Sequence, residues 1–152
     1  MPQGRAGSMK QTWVVWGLWL VLGWVQVAWA ADPYMDHGDS TVTDVSTGLM
    51  WQQTEGGAMT WGSALAYCEG LTLAGYTDWR LPNRNEAESL IDFTRATAPT
   101  INITYFPNAV SSPYWTSTSL KTSAVNAWRA NFTSGTIDAF GKTNSFYVRC
   151  VR

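Results

Sequence analysis

The spacing of apolar positions changes several times along this chain, and each change marks an element. From Trp13 to Val25 the run is continuous, with only Gly among Trp, Val and Leu. Arg5 and Lys10 precede it, Ala28-Trp29-Ala30 closes it, and polar sequence starts at Asp32. A basic start, an apolar stretch and small residues at the two positions read by signal peptidase predict a signal peptide over residues 1–30 and a mature domain over 31–152. The other reading is a retained anchor, because Trp13 to Ala31 approaches the roughly 20 residues that span a bilayer.

Beyond the leader, Thr41 to Thr43 and Leu49 to Gln52 are β-prone pieces around Ser46-Thr47-Gly48, the pattern of an opening hairpin. Thr60 then precedes Trp61, Ala64, Leu65, Cys68 and Leu71, spaced as the buried stripe of an amphipathic helix with an N-cap. Asp78-Trp79-Arg80-Leu81-Pro82 reads as an extended crossing. Asn83, with Glu86 three residues on, starts a second helix expected to run to about Phe93. After a loop punctuated by Pro99, Pro107 and Pro113 the period falls to two, which predicts an antiparallel meander. Trp128, Ala130 and Phe132 share its inner face, and Thr133-Ser134-Gly135 turns the chain into Thr136 to Phe140. In the last strand Phe146, Val148 and Cys150 point inward, while Tyr147 and Arg149 point the other way. Helices early and strands late give an α+β fold, two helices packed on an antiparallel sheet.

Charge and cysteine content narrow the function. The mature part carries eight basic and eleven acidic residues, a balance of −3 that offers nucleic acid no footing. Its two cysteines, Cys68 and Cys150, form an even pair in an oxidising compartment, and a long-range disulfide is the expected outcome. A metal pair or a catalytic thiol is the alternative, but there is no CxxC spacing and His37 is the single histidine. Neither a G-x-S-x-G elbow nor a zinc-ligand set is present, so the chain is read as not an enzyme, with a small hydrolase as the remotest option.

Asp36, Asp39 and Asp44 around Gly38 are weak candidates for calcium, the one cofactor the sequence suggests, although Asp and Gly are equally what tight turns prefer. Among the aromatics, Trp61, Trp79 and Trp128 are expected in the core, leaving Trp115, Tyr105, Tyr114 and Tyr147 as possible sugar-stacking platforms. Arg129, Asn131, Lys142, Tyr147 and Arg149 project from the non-core side of the late strands and form the candidate ligand-binding set.

The segments G-D-S-T-V-T-D-V-S-T-G-L-M-W, T-W-G-S-A-L-A-Y-C, G-Y-T-D-W-R-L-P-N, Y-W-T-S-T and F-Y-V-R-C-V-R together resemble the Lcl C-terminal domain family of bacteria. That resemblance implies a fold like those of C-type lectins and formylglycine-generating enzymes, and a binding role, since the namesake domain belongs to a collagen-like adhesin that binds sulfated glycosaminoglycans. This chain has Leu81-Pro82-Asn83 in place of the lectin sugar motif, no Gly-X-Y stalk and an acidic balance, which argues against a sulfated ligand. The expectation is an exported binding module, periplasmic, surface-held or secreted, for carbohydrate or protein. It meets a membrane only if the leader is retained. An envelope assembly domain that recognises another protein chain is the runner-up.

Overall fold

The computed structural model describes residues 32–152, so the predicted leader lies outside the described residues. Two sheets organise the domain. The smaller holds β1 (Tyr34–Asp36), β2 (Thr41–Asp44) and β3 (Met50–Gln52), all antiparallel in that order. Strands β2 and β3 are the expected hairpin, and Gly48 in its turn sits at φ +73°, where a side chain is disfavoured.

The larger sheet has the order β4-β8-β5-β6-β7, from β4 (Ala58–Met59), β5 (Pro113–Leu120), β6 (Ser123–Asn131), β7 (Thr136–Gly141) and β8 (Phe146–Tyr147). Strands β5, β6 and β7 form the predicted antiparallel meander. The chain then crosses to the far side of β5, where β8 pairs in parallel through Tyr114 and Tyr147, so the sheet is mixed rather than purely antiparallel.

Helix α1 (Trp61–Glu69) buries Ala64 and Cys68 and ends at Gly70, short of Leu71. Thr60 stands at its N-cap, but its hydroxyl meets Ser63 Oγ at 3.0 Å instead of capping the backbone. Helix α2 (Arg84–Ser89) has the complete capping box, with Asn83 Oδ1 accepting from Glu86 N–H at 2.9 Å and Glu86 Oε2 from Asn83 N–H at 2.8 Å. It stops well before Phe93 because Asp92 opens a new turn, its carboxylate accepting from the Thr94 N–H and hydroxyl. Phe93 itself is 75% exposed.

The five-stranded sheet is covered on both faces. On one, Tyr114, Ala130 and Phe132 pack with Ala87, Leu90 and Ile91 of the α2 segment and with Val42 and Trp51 of the small sheet. On the other, Trp115, Ala127 and Val148 pack with Ala64 and Cys68 of α1 and with Trp79 and Leu81. Period-two patterning reports which side a residue faces but not whether the second side meets solvent. Trp115 and Tyr114 are therefore core and not exposed platforms; the Trp115 indole N–H donates to the Met59 carbonyl at 2.9 Å. Trp128 is the opposite correction, half-buried rather than core, with the Arg84 guanidinium 4.2 Å above its ring.

Cys68 and Cys150 are joined across 82 residues, and both are fully buried. The bond ties α1 to the C-terminal segment, which also stitches the sheets together. Val151 bridges to both Trp51 and Arg80, and the Cys150 carbonyl accepts from Gln52 N–H at 3.0 Å.

Candidate functional site

The five predicted ligand-binding residues do not share a surface. Arg149 and Tyr147 face the α2 side of the sheet, and that side is closed. Arg149 is only 2% exposed: Nη1 donates to the carbonyls of Gln52 (2.7 Å) and Gln53, Nη2 donates to Glu55 at 3.0 Å, and Phe106 lies 4.6 Å from the guanidinium. Burial pushes its proton affinity down, opposed by the Tyr114 and Glu55 contacts. Arg149 is thus a structural cation and not a ligand contact. Tyr147 is half-buried, its ring 5.5 Å from that of Tyr114. Asn131 is committed to the β6–β7 turn, its Oδ1 accepting from Thr133 N–H at 3.0 Å and its carbonyl from Gly135 N–H at 2.8 Å.

Arg129 and Lys142 remain, and both face the α1 side. Helix α1 spans one end of that face and leaves the β6–β7 corner open. There the hairpin register brings Arg129 opposite Asp138 and Ala127 opposite Phe140, while the Val125 carbonyl accepts from Lys142 N–H at 2.9 Å. Arg129 Nε and Nη2 donate to the two Asp138 oxygens at 2.6 and 3.1 Å. The Arg129 guanidinium lies 4.1 Å from the Phe140 ring centre and 4.4 Å from that of Phe146. Lys142 Nζ lies 4.0 Å from the Trp61 ring and donates to Ser119 Oγ at 2.8 Å and to the Ala124 carbonyl at 2.9 Å. Trp61 is held in turn by its indole N–H on the Thr116 carbonyl at 2.8 Å. Val125 is 72% exposed and Phe140 43%, an apolar corner beside these fixed cations and a half-exposed carboxylate.

Val125, Asp138 and Phe140 escaped the sequence reading, yet the signal was present. Once Thr133-Ser134-Gly135 is taken as the turn, the register sets Arg129 against Asp138, an opposite-charge cross-strand pair, and Ala127 against Phe140.

The calcium candidates point into their own turns. Asp36 accepts from Gly38 N–H, Asp39 from the Thr41 N–H and hydroxyl, and Asp44 from Ser46 and Thr47. The Thr41 hydroxyl is the main reason the Asp39 carboxyl is held below the usual range. Burial pushes Asp44 up, but the Ser46 and Thr47 bonds outweigh it and leave it low. His37 is exposed and bonded to Thr43 Oγ1 at 2.8 Å. Among the described residues no group of three His, Cys, Asp or Glu is placed to hold a metal ion.

No curated protein matches the sequence. The family model of the Lcl C-terminal domain matches residues 40–152, which takes in every element from β2 to the final cysteine. The chain therefore belongs to the Lcl C-terminal domain family.

Proposed function

We propose that this chain is an exported, non-enzymatic binding module of C-type-lectin-like architecture, and that it holds a carbohydrate on the open β6–β7 corner. The observation that carries the reading is the pairing of exposed Phe140 and Val125 with the bidentate Arg129–Asp138 pair. A pyranose ring offers an apolar face and a rim of hydroxyls. Aromatic surface suits the first, and fixed donors and acceptors suit the second. Arg129 is pre-oriented by two rings and a carboxylate, which lowers the ordering cost of each bond made to a ligand. The leader pattern and the buried Cys68–Cys150 bond support export, since such bonds persist in oxidising compartments. The tie between the first helix and the C-terminal segment supports the lectin-like architecture.

A second reading takes the ligand to be another protein chain, favoured by the 72% exposure of Val125, an aliphatic group with no stacking face. A glycan array probed with the wild-type chain and with Val125→Asp separates the two. Binding to defined glycans, weakened in the variant, supports carbohydrate. Silence on the array, together with Val125-dependent capture of an envelope protein, replaces it with the second reading.

A further inference from the structure

The five-stranded sheet ends on one side in β4, two residues long, and on the other in β7, six residues long with no neighbouring strand beyond it. The ladder fixes which β7 groups are left over. Lys142 N–H donates to the Val125 carbonyl and Phe132 N–H to that of Ser112, so odd-numbered residues of β6 bond to β7 and even-numbered ones to β5. Thr136, Asp138 and Phe140 therefore direct their backbone groups at β6, while Ile137, Ala139 and Gly141 turn theirs outward. The Gly141 carbonyl is taken by Asn144, whose backbone N–H and side-chain amide donate to it at 3.0 and 2.9 Å. The N–H and carbonyl of Ile137 and Ala139 and the N–H of Gly141 have no partner among the described residues.

Exposed edges are usually blunted by shortness, a proline, a bulge or an edge lysine. Strand β4 is short, and so is β1 of the small sheet, with three residues. Strand β7 has none of these devices. Thr136-Ile137-Asp138-Ala139-Phe140-Gly141 contains neither Pro nor Lys, and its register against β6 runs unbroken from Thr136 to Gly141, whereas β5 shifts register against the same strand. Its single charge, Asp138, is held by Arg129 from within the sheet, and Lys142, just past the strand, reaches inward to Ser119 and Ala124.

We infer that β7 pairs with β7 of a second copy of this chain, antiparallel about a two-fold axis at Ala139, so that two five-stranded sheets join into one. The strand's own sequence selects this occupant and this register. Centred on Ala139, the two Ala139 residues exchange both backbone bonds, and each Gly141 N–H meets the Ile137 carbonyl of the other copy. On the α2 side Ala139 faces Ala139 and Gly141 faces the larger Ile137; on the α1 side Asp138 faces Phe140. An axis at Asp138 would set two carboxylates directly opposite, which is destabilising. An axis at Phe140 would carry Ile137 past the end of the partner strand. The strand is thus its own complement, which is what a two-fold contact requires.

The bonding residues carry their side chains on the α2 side, where Ile137 packs against the core. Arg129, Asp138 and Phe140 stand on the opposite face, so the seam leaves them open and sets two such corners side by side. The pairing does not rest on what the corner binds. Each copy has one β7, so assembly closes at the dimer. The seam is short, which puts it among the smaller, weaker interfaces, and its neutral backbone groups are not screened by salt.

Sedimentation velocity of the full chain over a concentration series up to millimolar, with amide hydrogen exchange read by NMR at both ends of the series, tests the pairing. The expected mass rises to that of a dimer and no further, alike at low and high salt. The Ala139 and Gly141 amides then exchange about tenfold more slowly at high concentration, while those of Asp138 and Phe140, already bonded to β6, change little. Ala139→Pro removes an outward N–H, leaves the β6–β7 ladder in place and is expected to stay monomeric with its melting temperature within a few degrees of wild type. A wild-type chain that is monomeric at millimolar concentration overturns the inference. So does growth past the dimer, association that a folded Ala139→Pro retains, or association without slower exchange at Ala139 and Gly141. Should Ala139→Pro fail to fold, the amide pattern of the wild-type chain decides alone.

Discussion

The same three-part device occurs twice in this domain, once closed and once open. Around Arg149 a guanidinium meets Phe106, Tyr114 and the Glu55 carboxylate; around Arg129 it meets Phe140, Phe146 and Asp138. The difference lies in cover. The side chains of Arg149 and Glu55 are 2% and 7% exposed, those of Arg129 and Asp138 11% and 46%. In the closed device two backbone carbonyls, of Gln52 and Gln53, hold Nη1 while Glu55 holds Nη2, and Gly56 lets that segment approach Tyr67, since an added Cβ would lie 2.4 Å from its ring. Close cover on every side in a dry site produces rigidity. Half-exposure of the carboxylate leaves acceptor capacity for something else.

Cutting the disulfide clasp is expected to have the largest effect. Cys68→Ala with Cys150→Ala removes a bond closing 82 residues, which on the chain-entropy model costs roughly 4.5 kcal/mol, read as a lower urea midpoint. Arg149→Met strands the buried Glu55 carboxylate and is expected to cost about 3–5 kcal/mol, with part recovered when Glu55→Gln is added. Alkali attacks the closed side as well. Burial raises Tyr34 and Tyr114 to about 12, above the ~10 of an unfolded tyrosine, so the stability they contribute is complete below pH 10 and is lost as pH rises from 10 through 12. A melting temperature that stays flat across that window would contradict their burial. The smallest effect on stability belongs to the open device, where Arg129→Met is expected to cost about 1 kcal/mol or less, since its partner is half in water.

Much of the architecture was legible because it is local. The Asn83–Glu86 box, the Thr133-Ser134-Gly135 turn and the inward alternation of Phe146, Val148 and Cys150 each reside in a few adjacent residues, and they hold. Long-range cover was not legible. Arg149 and Tyr147 do point away from Cys150, but what lies over them is Phe106, Tyr114 and the β3 segment, brought from the middle and start of the chain. Trp115 and Trp128 changed places for the same reason: α1 covers Trp115 on one face, whereas on the other face Trp128 meets the Arg84 guanidinium at the start of α2 and stays half-buried. The length of α2 failed at Asp92, whose side chain offers the backbone a turn in place of another helical bond.

The most direct test sets Arg129→Met beside Arg149→Met and measures melting temperature and glycan capture on both. The account predicts that Arg129→Met keeps the wild-type melting temperature within a few degrees and loses capture, whereas Arg149→Met falls sharply in melting temperature and, below its transition, still captures. Capture retained by Arg129→Met, or a melting temperature lowered as far as that of Arg149→Met, would contradict the assignment of the open corner as the contact surface.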